Sequence, residues 1–192
     1  GTLPWTFPGL EGDRQIYARE WQREKARQLF QLILTYRGQW LPHEQIVDLL
    51  WPDQSAENAV RDFKVALNAL NRALEPARPL QAPPYFVIRR GNAYGINPQA
   101  RLVTDAELFG KFAGSGDADD LQAALAIYED DYLPDCIYAD WCSTERHQYR
   151  QKYLAVTERL ARLYLKTQHW EEAVSACQAG AGAGGDPVVL LE

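Results

Sequence analysis

The sequence has few cysteines, no methionine and no long apolar run. Its three cysteines, an odd number in 192 residues, exclude a framework of paired disulfides and favour a reducing, cytoplasmic setting. No apolar stretch reaches the length of about 20 residues that a membrane span needs, and the start lacks the basic and apolar segments of a secretory signal. We therefore expect a cytoplasmic protein without a membrane partner. The missing methionine and the ending "VVLLE" lead us to expect a fragment of a longer protein.

The negative charge of the chain lies entirely in its second half. Residues 1–100 have 12 Lys/Arg and 10 Asp/Glu, a net charge of +2, whereas residues 101–192 have 8 and 16, a net charge of −8. The sequence character changes at the same place, after Asn97 and Pro98. We therefore predict two domains, 1–100 and 101–192, of which only the first has a charge suited to nucleic acid.

The segment "SAENAVRDFKVALNALNRAL" (55–74) predicts a helix with two different faces. Apolar residues recur every three or four positions and predict a buried stripe of Val60, Phe63, Leu67, Leu70 and Leu74. The opposite side, which we call the outer face, carries Arg61, Val65, Asn68 and Arg72, with Lys64 and Asn71 on its flank. Arginine can bind guanine, asparagine can bind adenine, and valine can pack on a thymine methyl group. The outer face therefore has the side chains of a base-reading helix, although such a face can also be simply solvated.

The elements around this helix follow a recognisable order. Short β-type pieces, "PWTF" and "RQIYA", come first, and two helices follow, over 21–36 and between Pro42 and Pro52. After a proline-rich loop, "YFVIRRGNAYGI" predicts two strands joined at the turn "RGN". In a winged helix-turn-helix the third of three helices enters the major groove of DNA, and the following hairpin contacts the backbone or minor groove. Arg89, Arg90 and Asn92 lie where such a hairpin would reach phosphate.

The second half predicts helices throughout. We expect a helix in "VTDAELFGKFA" capped by Thr104 or Asp105, and further helices in "LQAALAIYEDDYL", in the long stretch 138–168 and in "HWEEAVSACQ". Ala161, Tyr164 and Ala173 have the spacing by which small residues let two antiparallel helices pack closely, as in tetratricopeptide repeats. The glycine-rich "AGAGAGGDP" is predicted to be non-helical.

Together these segments resemble a known class of regulators. The stretches "EKARQLFQLILTYRGQWLPHEQIVDLLWPD", "ENAVRDFKVALNALNRALEP" and "YFVIRRGNAYGIN" resemble the OmpR-type winged helix of Streptomyces-antibiotic-regulatory-protein (SARP)-type activators. "LQAALAIYEDDYLPDCIYADWCSTERHQYRQKYLAVTERLARLYL" resembles the bacterial transcriptional activator domain that follows it in that family. The resemblance implies a mainly α protein: a winged helix-turn-helix with a small β-hairpin wing, followed by an α-helical domain like a tetratricopeptide repeat.

The resemblance also implies which residues contact double-stranded DNA. These are residues of the third helix and of the wing, namely Asn58, Arg61, Lys64, Val65, Asn68, Arg72, Arg89, Arg90 and Asn92. In the activator domain Asp140 and Trp141 would be structural. The implied function is sequence-specific DNA binding in transcription regulation, as an activator, with RNA polymerase or a second copy of the chain bound through 101–192. We expect an uncovered apolar surface around Leu160, Leu163 and Tyr164 for that second copy.

Other chemistries find less support in the sequence. Cys136 and Cys142 are separated by five residues, which is not a zinc spacing, and no second pair accompanies them or His147. The sequence has no Gly-x-Ser-x-Gly, Walker loop or dinucleotide fingerprint. We therefore expect no metal, no cofactor and no enzyme activity. The alternative function is a helical-repeat interaction module whose winged helix binds protein rather than DNA.

Overall fold

The computed structural model of the chain describes residues 6–9, 12–15, 21, 23–79, 81–128, 132–133 and 139–182. The chain divides into two compact units, Gly1–Leu102 and Val103–Glu192. The described residues are mainly helical with a small antiparallel sheet of three strands, which confirms the mainly α class. Within them, no helix combines the length and the apolar character that crossing a membrane would require.

Unit 1 begins with a two-stranded hairpin and continues with three helices and the three-stranded sheet. The hairpin pairs β1 (Thr6–Gly9) with β2 (Gly12–Gln15). The first two residues of "PWTF" and the last three of "RQIYA" lie outside the described residues. The helices are α1 (Glu24–Thr35), α2 (His43–Leu50) and α3 (Ala56–Leu74). The strands are β3 (Leu41–Pro42), β4 (Val87–Arg90) and β5 (Ala93–Ile96), in the order β3-β5-β4.

Local sequence signals explain the boundaries of these elements. The chain leaves α1 through a turn in which Gly38 has a φ of +87°, a conformation that favours glycine. Pro42 is the N-cap of α2. At the start of a helix the N–H that proline lacks has no partner within the helix, so proline is tolerated there. Gly91, with a φ of +61°, makes the predicted turn between β4 and β5. The strand β3 was not predicted, because two residues carry no measurable alternation.

The buried side of α3 differs from the predicted stripe. Phe63, Leu70 and Leu74 are buried as predicted, but Val60 and Leu67 are only half-buried. Ala59 and Ala66 are buried instead, and α1 is the helix with the most extensive packing against α3. Asn71 was predicted on the flank of the outer face, and this was wrong: its side chain is only 4% exposed. Its Oδ1 atom has no hydrogen-bond partner among the described residues.

All the described secondary-structure elements of unit 2 are helices. Its helices are α4 (Asp105–Ala113), α5 (Ala118–Ile127), a 3-10 helix (Asp140–Cys142), α6 (Ser143–Lys166) and α7 (Trp170–Gly182). Thr104 and Glu107 form a reciprocal capping box at the start of α4, with Thr104 Oγ1 3.1 Å from the Glu107 backbone nitrogen. Asp117 caps α5 by accepting from the backbone of Asp119 and Asp120.

Three predictions about the helices of unit 2 were wrong at their ends. The helix predicted over 121–133 ends at Ile127, and Leu133 has a positive φ of 53°. The long helix predicted over 138–168 is broken, because the 3-10 helix precedes α6. The stretch "AGAGAGGDP" (179–187) was predicted to be non-helical, yet α7 continues through Gly182, whereas residues 183–187 lie outside the described residues. Packing against α6 offsets the low helix propensity of glycine there, since Gly180 is buried.

The core of unit 2 also corrects the predicted uncovered surface. Leu160 is 2% exposed and packs in a cluster with Phe109, Leu121, Val156 and Ala161, and Leu163 and Tyr164 are partly buried against the same cluster. The reason is that α7 folds back along α6 after a connection of only three residues. The large apolar side chains that are exposed on these two helices are Leu165, Trp170 and Val174.

Candidate functional site

The nine predicted site residues all have exposed side chains. Four of them, Arg61, Val65, Asn68 and Arg72, succeed one another at intervals of four, three and four residues on α3 and so share one side of it. Val65 is 39% exposed, although it is a large apolar residue. Asn58 and Lys64 are exposed on the same helix, and Arg89, Arg90 and Asn92 are exposed on the β4–β5 hairpin. These side chains form two groups, one on α3 and one on the hairpin.

Arg61 is paired only weakly with its neighbour. Its Nε atom lies 3.4 Å from Oδ1 of Asp62, and the arginine side chain is 69% exposed. Gln54 donates to the other carboxylate oxygen of Asp62 at 3.2 Å. An exposed ion pair of this kind contributes about 0–1 kcal/mol. The guanidinium of Arg61 can therefore leave Asp62 for a stronger anionic or acceptor partner at little cost.

Phe63, on the buried side of α3, connects that helix to the elements around it. Its ring is 1% exposed and makes edge-to-face contacts with His43, Trp51 and Tyr94, with centroid distances of 4.5, 6.4 and 5.0 Å. His43 begins α2, Trp51 follows α2, and Tyr94 belongs to β5. Each such pair contributes about 0.5–1.5 kcal/mol beyond burial. Through this aromatic cluster α3 packs against α2 and strand β5 of the hairpin.

The hairpin is also tied to α2 through its turn. The backbone N–H of His43 donates to the carbonyl of Asn92 at 2.8 Å, and β3 pairs with β5 immediately beside it. Nε of Arg89 donates to the carbonyl of Gly91 at 2.7 Å, and its guanidinium lies 5.9 Å from the ring centroid of Tyr94. The turn and its first arginine are thus held in place before any ligand arrives.

Residues that support the exposed groups were not identified from the sequence. Tyr94 links Arg89 to Phe63, and Trp40 lies beneath Arg90, with 5.3 Å from its ring centroid to the guanidinium carbon. An isolated glycine within a strand indicates that another group approaches the backbone closely. Gly95 in "NAYGI" was therefore the one sequence signal that a side chain packs against β5. It did not indicate that the approaching group would be Trp40, some 55 residues earlier in the chain.

The contacts of Cys142 and Arg146 are those of packed structural residues rather than of a reactive site. Cys142 is fully buried, and Arg146 donates to its Sγ atom at 3.1 Å and to the carbonyl of Tyr132 at 3.1 Å. Burial raises the pKa of the Cys142 thiol, an effect that Arg146 partly opposes, and a raised pKa disfavours the reactive thiolate. Cys136 lies outside the described residues, and His147 is exposed. The described part of the chain contains no group of three or more residues arranged to hold a metal ion.

Unit 2 has a groove between α5, α6 and α7. Its volume is about 210 Å³, and Leu125, Leu160, Tyr164 and Ala176 are among the residues that line it. Sites for small molecules commonly have about 300–1,000 Å³, so this groove is too small to enclose a typical ligand.

Comparison with models of known protein families and with curated proteins found no match.

Proposed function

We propose that the protein is a sequence-specific DNA-binding regulator of transcription. In this proposal unit 1 is a winged helix-turn-helix, α3 is its recognition helix and the β4–β5 hairpin is its wing. Unit 2 is a helical domain of the tetratricopeptide type that contacts other proteins. The proposal agrees with the resemblance to SARP-type activators.

The observation that supports DNA binding most directly is the outer face of α3. Arg61, Val65, Asn68 and Arg72 are exposed together, and they combine donors for guanine, a donor–acceptor pair for adenine and an apolar group for the thymine methyl. On the buried side, Phe63 connects the helix to the hairpin that bears Arg89 and Arg90. A helix so fixed can present its outer face to base edges while the hairpin binds phosphate.

The charge of the chain favours the same division of roles. Residues 1–100 have a net charge of +2 and residues 101–192 a net charge of −8, so phosphate is repelled by unit 2. Unit 2 instead exposes Trp170 and Val174, which are 60% and 56% exposed and four residues apart on α7. Exposed aromatic and aliphatic side chains are typical of protein interfaces, and we propose a second copy of the chain or RNA polymerase as the partner.

The Arg61→Ala variant tests the base-reading role. Arg61 lies near the start of α3, where recognition helices meet base edges. The substitution is expected to cost about 1–3 kcal/mol at one base position and to relax the preference there. The measurement is the affinity of wild type and variant for every single-base substitution of a motif selected from random duplexes.

The matched control for Arg61 is Arg162→Ala. Arg162 is a surface arginine on α6 that pairs with Glu158, so its removal changes the net charge equally but should leave the base preference unaltered. If Arg61→Ala weakens binding to all duplexes of the panel by the same factor, Arg61 does not read a base.

A further inference from the structure

The ring of Trp40 lies against the backbone of β5 at a glycine. Trp40 directly precedes β3, and Leu41 of β3 pairs with Tyr94 of β5, so Trp40 lies beside Gly95. A Cβ atom added to Gly95 would lie 3.3 Å from Cε3 of the Trp40 ring and 2.9 Å from the carbonyl oxygen of Gln39. Contacts this short require something to move. Glycine at 95 therefore gives the ring of Trp40 the space to cross β5.

Beyond β5 the Trp40 ring reaches Arg90 at the end of β4. The guanidinium carbon of Arg90 lies 5.3 Å from the ring centroid, within the range of a cation–π interaction. The arginine is exposed and the tryptophan is half-buried. A guanidinium that lies against an aromatic ring can still donate its N–H groups to a phosphate, and the exposure of Arg90 leaves it accessible to one.

The two arginines of the hairpin are supported separately. Arg89 pairs with Tyr94, and Arg90 pairs with Ala93, so their side chains leave the hairpin on opposite faces. Tyr94 lies under Arg89, at 5.9 Å, and Trp40 lies under Arg90. Each arginine has its own aromatic support, and the support of Arg90 comes from outside the hairpin.

We propose that Trp40 is a positioning residue for Arg90 in DNA binding. Its ring, seated on Gly95, holds the guanidinium in the orientation that binds a backbone phosphate. This inference rests on the proposed function, in which the hairpin contacts DNA. An arginine side chain loses rotamer freedom when it binds a ligand, and the contact with Trp40 removes part of that loss before binding. The effect is independent of base sequence, because phosphate contacts carry no sequence information directly.

A double-mutant cycle in the full chain tests this role. Wild type, Trp40→Leu, Arg90→Ala and the double variant are titrated with a random-sequence duplex at several salt concentrations. Trp40→Leu is expected to weaken binding about two- to fivefold, the range that corresponds to an exposed cation–π interaction. It is expected to have no further effect when Arg90 is already alanine. Trp40→Phe, which keeps a ring, should restore most of the lost affinity.

A measurement without DNA completes the test. In the wild-type free protein, the ring current of Trp40 should shift the NMR signals of the Arg90 δ-protons upfield, and Trp40→Leu should abolish the shift. Unshifted δ-protons in the wild type overturn the proposal, even if Trp40→Leu fails to fold. Equal losses of affinity with and without Arg90 also overturn it. A wild-type chain that binds no duplex refutes the proposed function itself, and the role of Trp40 with it.

Discussion

The Trp141→Ala variant is expected to lose about 3–5 kcal/mol of the free energy of unfolding of unit 2, the usual cost of truncating a buried aromatic side chain. Trp141 is 8% exposed and lies in the 3-10 helix that leads into α6, beside the fully buried Cys142. For a unit of this size, 1 kcal/mol changes the melting temperature by about 4–8 °C. A calorimetric transition lowered by more than about 10 °C is therefore expected.

Trp170→Ala is the matched control for this prediction. It removes the same side chain from unit 2, but Trp170 is 60% exposed at the start of α7. At a protein concentration at which the chain is monomeric, substitutions at exposed positions usually change stability by no more than about 0.5 kcal/mol. A Trp141→Ala variant that melts within a degree or two of wild type would contradict the structural role of Trp141.

Replacing both Arg89 and Arg90 with alanine is expected to weaken binding to all duplexes alike. Each contact between a charged donor and phosphate contributes about 1.5–3 kcal/mol, so the double variant should lose about 3 kcal/mol or more. Two fewer phosphate contacts should also make the slope of log affinity against log salt shallower by about one to two units. Titration of a selected and an unrelated duplex at four salt concentrations measures both effects.

The control for the hairpin removes two positive charges from unit 2 instead. The Arg162→Ala, Lys166→Ala variant has the same net charge as the hairpin variant, and both of its sites are exposed on α6. Its salt slope should equal that of wild type, because unit 2 is proposed not to touch DNA. An unchanged slope in the Arg89, Arg90 variant would exclude the hairpin from the interface.

The sequence predicted those elements whose signals are local and strong. The apolar repeat of α3, with Phe63 and Leu70 on one side, and the turn at Gly91 each identified an element of unit 1. Thr104 at the start of α4 is a local capping signal of the same kind. Such signals depend on neighbours within a few residues, so one sequence is enough to read them.

Features that depend on tertiary packing could not be predicted in this way. The helix α7 continues through Gly182 because α6 packs against it, which glycine content does not indicate. Asn71 is buried and Leu160 is covered because of the elements packed around them. Strand β3 exists only through its pairing with β5. In each case tertiary contacts override the local preference.

In the candidate site, too, local features could be predicted from the sequence and tertiary contacts could not. The outer face of α3 could be listed by helical spacing alone, and its residues are exposed. The contact of Trp40 with Gly95 and Arg90 could not be predicted in this way. Its three residues belong to, or flank, three different strands. Periodicity identifies which residues share a face, whereas only the fold brings residues from distant segments into contact.

Selection of bound duplexes from a random pool by the full chain, at about 100 mM salt, tests sequence-specific DNA binding most directly. We expect enrichment of one motif, bound at least about a thousandfold more tightly than unrelated duplex, as is typical of specific DNA-binding proteins. Affinity for both should fall as salt rises from 50 to 200 mM, because bound phosphates release counterions. If a folded chain enriches no motif, or binds duplex without dependence on salt, the protein is not a sequence-specific DNA-binding regulator of the proposed kind.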